Sequence, residues 1–237
     1  MTEKIAIFTE GKTEQSFICK LIEHFAGNRA YHVTKSSAYG GRKTDFIEIR
    51  LQHEGVAENE PHDFYFLVMN CGGEERVISM INDRIDGLIK NGYTHLIGVR
   101  DLRPNFTYDD YDRLREGSVK HFENKALKPL IVIARMEVEA WFIAENKHFI
   151  AIDEALTVEK ILQDVGVNIA GDSEIIETPA TELHRIYGIV GKEYGKTGGD
   201  IQRTVDALDF SEFKGSAGER APTVVPLIDR VEEIFQG

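Results

Sequence analysis

The sequence predicts an α/β fold, a mostly parallel sheet covered by helices on both faces, followed by a helical C-terminal portion. Between residues 4 and 134, short runs of aliphatic and β-branched residues alternate with longer segments whose apolar residues recur at helical spacing. The short runs are apolar on both faces, which suits strands buried between two layers of helix rather than strands with one wet face. From Val138 onward, helical patterns follow one another with no convincing strand between them.

Taken in order, Lys4 to Thr9 (KIAIFT) reads as a buried strand with a turn signal directly after it. A helix follows, because Phe17, Ile18, Leu21, Ile22 and Phe25 fall on one face, and Gly27-Asn28 stops it. Tyr31 to Ser36 is the next strand, and the acidic, apolar-poor stretch Gln52 to Asp63 reads as an exposed loop. The pattern then repeats, with strands at Phe64 to Met69, His95 to Arg100 and Leu130 to Ala134 and helices at Glu74 to Lys90 and Tyr108 to Asn124. Helical patterns at 138–149, 157–165, 180–194, 199–208 and 224–235 complete the chain. This organisation predicts an α/β domain over residues 1–150 and a helical extension over 151–237 that packs on it.

At 237 residues the chain can bury one full core and a smaller lobe. No apolar run reaches membrane-spanning length, and the N-terminus lacks the charged-then-apolar pattern of a signal peptide, so a cytoplasmic protein is expected. Cys19 and Cys71 are the only cysteines and have no metal-ligand spacing, which excludes a disulfide framework and a zinc site of the usual kind. A net charge of −12 argues against binding nucleic acid through a broad basic face. An acidic nuclease remains compatible with it, because divalent cations cancel the charge locally and a partner subunit can supply a basic groove.

In an open parallel sheet, ligands bind outside the carboxyl ends of the strands. Those ends are unusually polar here: Glu10-Gly11-Lys12-Thr13-Glu14, Asn70-Cys71-Gly72-Gly73, Asp101-Leu102-Arg103 and Arg135-Met136-Glu137-Val138-Glu139. Magnesium, a hard cation, takes one or two carboxylates and fills its other positions with water and phosphate oxygens. Glu10 ends a buried strand and precedes a glycine, while Glu14 falls in the first helical turn, where it also complements the helix dipole. Gly11-Lys12-Thr13 imitates the end of a phosphate-binding loop, but Ala6 stands where that motif needs its first glycine. In extended geometry Glu137 and Glu139 would point to one face. Lys196, flanked by glycines, can reach a scissile phosphate. Lys35, Arg42 and Lys43 are further cations that a backbone phosphate could meet. Cys71, with no histidine in a recognisable arrangement, reads as a small strand-end residue rather than a nucleophile.

The glutamate-glycine pair after the first strand, with a later strand ending in aspartate and an acidic segment beyond, resembles the TOPRIM domain of topoisomerases, primases and OLD-type nucleases. EGKTEQSF, VRDLRP, ARMEVEAWFIAE and EYGKTGGDI, in that order, are similar to a family of small bacterial TOPRIM-like proteins, over nearly the whole chain. The resemblance implies a Rossmann-like sheet and magnesium-dependent phosphodiester hydrolysis of DNA or RNA, with manganese as a substitute ion. It gives Glu10 general acid/base work and Asp101 a metal-binding role. Arg103 occupies the position of the second metal-binding aspartate, so Glu14, Glu137 or Glu139 completes the site, or Arg103 clamps a phosphate and one metal binds, or metal binding is lost. Glu10, Asp101 and Lys196 are thus the candidate catalytic residues, and Lys12 and Arg103 the candidate phosphate contacts. The resemblance also implies a role in anti-phage defence or as a toxin, beside a partner ATPase of AAA or ABC type, and a homodimer is compatible with it. The rival reading is a non-catalytic scaffold that binds a partner or a nucleotide.

Overall fold

The computed structural model describes residues 2–39, 47–103 and 105–237. Its strands are β1 (Glu3–Thr9), β2 (Tyr31–Tyr39), β3 (Ile47–Gly55), β4 (Phe64–Asn70), β5 (Tyr93–Asp101) and β6 (Leu130–Ala134). They form one six-stranded sheet in the order β3-β2-β4-β1-β5-β6. β1 runs parallel to both its neighbours, β4 and β5, and β2 runs parallel to β4, while β3 pairs antiparallel with β2. The fold is therefore α/β with a mostly parallel sheet. Parallel neighbours need long crossovers, and helices supply them: α1 (Lys12–Ala26) after β1, α2 (Glu74–Lys90) after β4 and α3 (Tyr111–His121) after β5.

By contacts the chain divides into two compact units, one of residues 1–100 with 112–132 and the other of residues 101–111 with 133–237. In the first, β1 shows why its sequence is apolar throughout. Ala6 and Phe8 pack with Met69, Leu96 and the α2 residues Val77, Ile81 and Ile85 in one buried cluster. Gly98 of β5 leaves room for this helix, since a Cβ there would stand 2.8 Å from both Ile81 and Ile131. Ile5 and Ile7 point the other way and are equally buried. That side is left to α1, which contacts β1, β2 and β4. The Gln15 side-chain amide donates to the carbonyls of Ser36 and Val68 at 2.9 Å each, tying α1 to two strands.

The second unit contains α4 (Glu139–Ala144), α5 (Lys147–Ile152), α6 (Val158–Val165), α7 (Pro179–Gly188), α8 (Gly198–Ala207), α9 (Ser216–Arg220) and α10 (Val225–Gln236). Trp141, Phe142, Phe149, Tyr187 and Phe213 form its buried interior. Trp141 does not lose its polar edge, because its indole N–H donates to Thr223 Oγ1 at 2.9 Å. Thr157 and Thr197 cap α6 and α8 by accepting the N–H of Lys160 and Asp200.

Several expected boundaries move. The acidic stretch expected as a loop from Gln52 is strand as far as Gly55, the end of β3. An edge strand hydrogen-bonded on one side needs no continuous apolar run, so composition conceals it. The helical pattern at 138–149 breaks into α4 and α5 at Glu145, whose ψ of 77° leaves the helical region. The pattern at 180–194 stops at Gly188, and the one at 108–124 opens with a 3-10 turn over Tyr108–Asp110 and stops at His121. Among the described residues no helix is long and apolar enough to cross a membrane.

Candidate functional site

Four of the residues singled out from the sequence meet in the second unit: Asp101, Glu137, Glu139 and Lys196. Asp101 ends β5 nearly buried, and its Oδ1 accepts the N–H of Val138 at 2.9 Å. Backbone hydrogen bonds from Leu102 to Ala134 and from Arg103 to Met136, both 3.0 Å, extend the pairing past the end of β6. Met136 then turns the chain at φ 74°, a conformation that L side chains rarely adopt, and Val138 already has helical dihedrals. The segment is thus a turn and not the extended stretch expected, and strand alternation does not explain why Glu137 and Glu139 come together.

Their common partner explains it. Lys196 Nζ lies 3.1 Å from Glu139 Oε1 and 3.5 Å from Glu137 Oε1. Lys196 is itself held at φ 55°, so both non-glycine residues with positive φ among those described belong to this cluster. Asp200 pins its loop, accepting from Gly195 N–H at 3.0 Å and Thr197 O–H at 2.8 Å. Glu137 has a second task, since its Oε2 accepts the Ala180 N–H at 3.0 Å, at the start of α7, where Thr178 offers no side-chain cap.

Glu139 is fully buried. Its Oε1 receives the Tyr194 hydroxyl at 3.0 Å as well as Lys196, whereas its Oε2 is buried with no hydrogen-bond partner among the described residues. Burial pushes the Glu139 carboxyl above the usual glutamate range, with the Lys196 ammonium pulling against it. Partial burial works to lower Lys196, but Glu139, Glu137 and Asp101 outweigh it and hold the ammonium above the ordinary lysine range. Lys196 is therefore a permanent cation at neutral pH and neither a base nor a nucleophile.

The remaining candidates lie in the first unit or carry no partner. Glu10 follows β1, and its carbonyl accepts the Gly73 N–H at 3.0 Å. Gly72 is required beside it, with φ 72° and a Cβ position only 2.8 Å from the Ala38 carbonyl oxygen. Glu14 is nearly buried and turns its Oε2 back to the Gly11 N–H at 2.9 Å, at the start of α1. Gly11, two residues beyond β1, caps that helix. Lys12 is exposed. Lys35 forms an ion pair with Glu54, and Arg42 and Lys43 lie outside the described residues. Burial pushes the Cys71 thiol up to about 12, so it is an inert strand-end residue. In the second unit, the Arg103 guanidinium forms no hydrogen bond or ion pair with any described residue, and its Nε is buried.

Sequence reasoning missed two features. Tyr194, two residues before Lys196, holds Glu139, and only the closeness of the two in sequence hints at it. Arg135, adjoining the Met136 turn, holds its guanidinium over the rings of both Tyr108 and Tyr111.

The donors of this cluster are carboxylate oxygens, the kind a hard divalent cation takes. Three carboxylates face one ammonium, and the orphaned Glu139 oxygen has no other source of positive charge or protons among the described residues. Among the described residues, however, no three His, Cys, Asp or Glu side chains are gathered as a ready metal site. Lys196 lies against both glutamates, and Asp101 spends one oxygen on the backbone of Val138. No protein-family model, curated protein or solved structure matches the chain.

Proposed function

We propose that this chain is a metal-dependent phosphodiester hydrolase acting on DNA or RNA, on a sheet of TOPRIM type. One observation carries the reading: a fully buried Glu139 whose Oε2 has no hydrogen-bond partner among the described residues, beside carboxylates that outnumber the ammonium facing them. Asp101, Glu137 and Glu139 would hold magnesium, or manganese in its place, and the ion would polarise a phosphate oxygen and acidify a water. The protein's own residues supply the setting. Tyr194 fixes the Glu139 carboxylate, and the α7 terminus fixes that of Glu137. Lys196 offers a fixed charge to oxygens that become more negative as the phosphate bond breaks. Arg103, without a hydrogen-bond or ion-pair partner among the described residues, can grip a phosphate with two N–H groups. The acid/base role of Glu10 and the phosphate contact of Lys12 rest on the EGKTE motif.

The variants that test this are Asp101→Asn and Glu139→Gln, assayed for magnesium-dependent cleavage of labelled DNA and RNA. Asparagine keeps an oxygen for the Val138 N–H, so loss of activity would not be loss of the turn. Both should lower cleavage by at least about a hundredfold, the worth of a few kcal/mol of charge stabilisation. Cleavage at the wild-type rate in both would overturn the assignment. A Glu10→Gln variant tests the motif-based role separately.

A second reading is favoured by the way Lys196 already engages both glutamates: a non-catalytic scaffold with a settled ion-pair cluster. Calorimetry separates the two, since a scaffold of that kind takes up no magnesium near millimolar concentration. Co-purification with an ATPase of AAA or ABC type would support the partner that accompanies either reading.

A further inference from the structure

We propose that Tyr108, on the 3-10 turn Tyr108–Asp110, together with Arg103 and Arg135, forms a subsite for single-stranded nucleic acid. In it Tyr108 stacks an unpaired base, and Arg103 and Arg135 attract the phosphates. The proposal deepens the nuclease reading and rests on it for the chemistry of the polymer.

The local architecture is a charged aromatic stack. The Arg135 guanidinium carbon lies 4.6 Å from the ring centre of Tyr108 and 4.3 Å from that of Tyr111, and its Nη1 donates to the Tyr108 hydroxyl at 3.0 Å. Tyr108 is 42% exposed, a large share for an aromatic ring held in place by two separate interactions with one arginine. A rigid, half-exposed ring next to a cation is the arrangement on which bases of single strands stack. In a duplex the base faces are already covered by their neighbours, so such a ring has nothing to receive there.

The charges point the same way. Acidic residues outnumber basic ones by 40 to 28 in this chain, so carboxylate partners for arginine are abundant. Even so, among the described residues neither Arg103 nor Arg135 has a carboxylate within ion-pair distance, and the Nε of each is buried without a partner. Glu174, an acid on which the Arg135 charge acts, spends its Oε1 on Thr223 and forms no ion pair with Arg135. The two arginines are also linked through the backbone, because Arg103 N–H donates to the carbonyl of Met136, the neighbour of Arg135. Two guanidiniums from adjacent strand ends, neither ion-paired with a described residue in an acidic protein, suit an anionic ligand.

Fluorescence anisotropy with the full chain, in EDTA and low salt, tests the idea without any cleavage. The probes are a labelled oligothymidylate, an abasic strand of equal length and a duplex of equal length. The oligothymidylate should bind roughly tenfold more tightly than either of the others, the worth of one stacked base. Tyr108→Ala should weaken oligothymidylate binding roughly tenfold and leave abasic binding unchanged. Tyr108→Phe keeps the ring, loses the hydroxyl that meets Arg135, and should bind as wild type. The proposal is overturned by equal affinity for the abasic strand, by a preference for duplex, by no binding at all, or by a Tyr108→Phe loss as large as that of Tyr108→Ala. The last would mean that the hydroxyl merely anchors the loop. Failure of the nuclease reading looks different: no magnesium-dependent cleavage by the wild type while this binding pattern persists.

Discussion

Replacing Lys196 with methionine removes the ammonium that faces Glu137 and Glu139 while keeping a side chain of similar length. Breaking a fully buried ion pair from one side costs about 3–5 kcal/mol, because the surviving charge stays buried. Lys196 is 43% exposed, so water screens part of that interaction, and Tyr194 continues to donate to Glu139; both lower the expectation to about 2 kcal/mol. For a chain of this size the loss corresponds to a melting temperature lower by about 4–8 °C. The effect should depend on pH, with a determinate sign. Burial raises the Glu139 carboxyl above its ordinary 4.5, and loss of Lys196 removes the influence that lowers it. The folded variant then binds the Glu139 proton more tightly than the unfolded chain does. Its stability is greatest below the unfolded value and falls as pH rises through the folded one. Thermal melts at about pH 5 and about pH 8 should therefore show a small deficit in acid and the full deficit in base. Adding Glu139→Gln removes the stranded charge and should recover most of the loss, giving a coupling energy of about 1–2 kcal/mol. Equal deficits at both pH values, or strict additivity in the double variant, would refute the claim that Lys196 neutralises Glu139.

Two further outcomes follow from the same geometry. Cys71 and Cys19 are buried with raised pKa values, so an alkylating reagent at about pH 8 should leave both untouched in the folded chain and modify both in denaturant; rapid native labelling of Cys71, read by mass spectrometry, would restore it as a nucleophile. Met136→Gly relieves the positive φ by about 1–2 kcal/mol but forfeits a buried side chain worth about 2–5 kcal/mol, so the variant should be less stable, by up to about 4 kcal/mol, in denaturant melts. A gain in stability would mean that strain, not packing, dominates the turn.

The central strands were legible because burial on both faces leaves its mark on every residue. Ile5 to Phe8 are all fully buried, and no polar residue interrupts the run. β3 was not legible for the complementary reason. It sits at the sheet edge, paired with β2, and its HEG ending carries no apolar periodicity to betray it. Of the C-terminal helices, α6, α8 and α10 were placed to within a turn, but the pattern at 180–194 overran α7 by six residues, α9 went unread, and the break between α4 and α5 was missed. Glu145 and His148 are both fully buried there, and the Glu145 carboxylate accepts the Lys147 and His148 N–H groups, a local polar substitute for helix hydrogen bonds. A pattern of apolar residues cannot register such a substitution.

The site was legible as a set of residues and illegible as a geometry. Asp101, Glu137, Glu139 and Lys196 each stood out by position or motif, and the second unit brings all four together. The reason offered for Glu137 and Glu139, alternation along a strand, fails because Met136 turns the chain before either glutamate is reached. What aligns them instead is supplied from far along the sequence: Ala180 takes one oxygen of Glu137, and Tyr194 and Lys196 take one oxygen of Glu139. Local spacing therefore cannot encode the arrangement. A turn at positive φ leaves the glutamates free to meet any partner the fold provides, and the glycine-flanked loop 195–199 supplies one that is locked by its own left-handed residue.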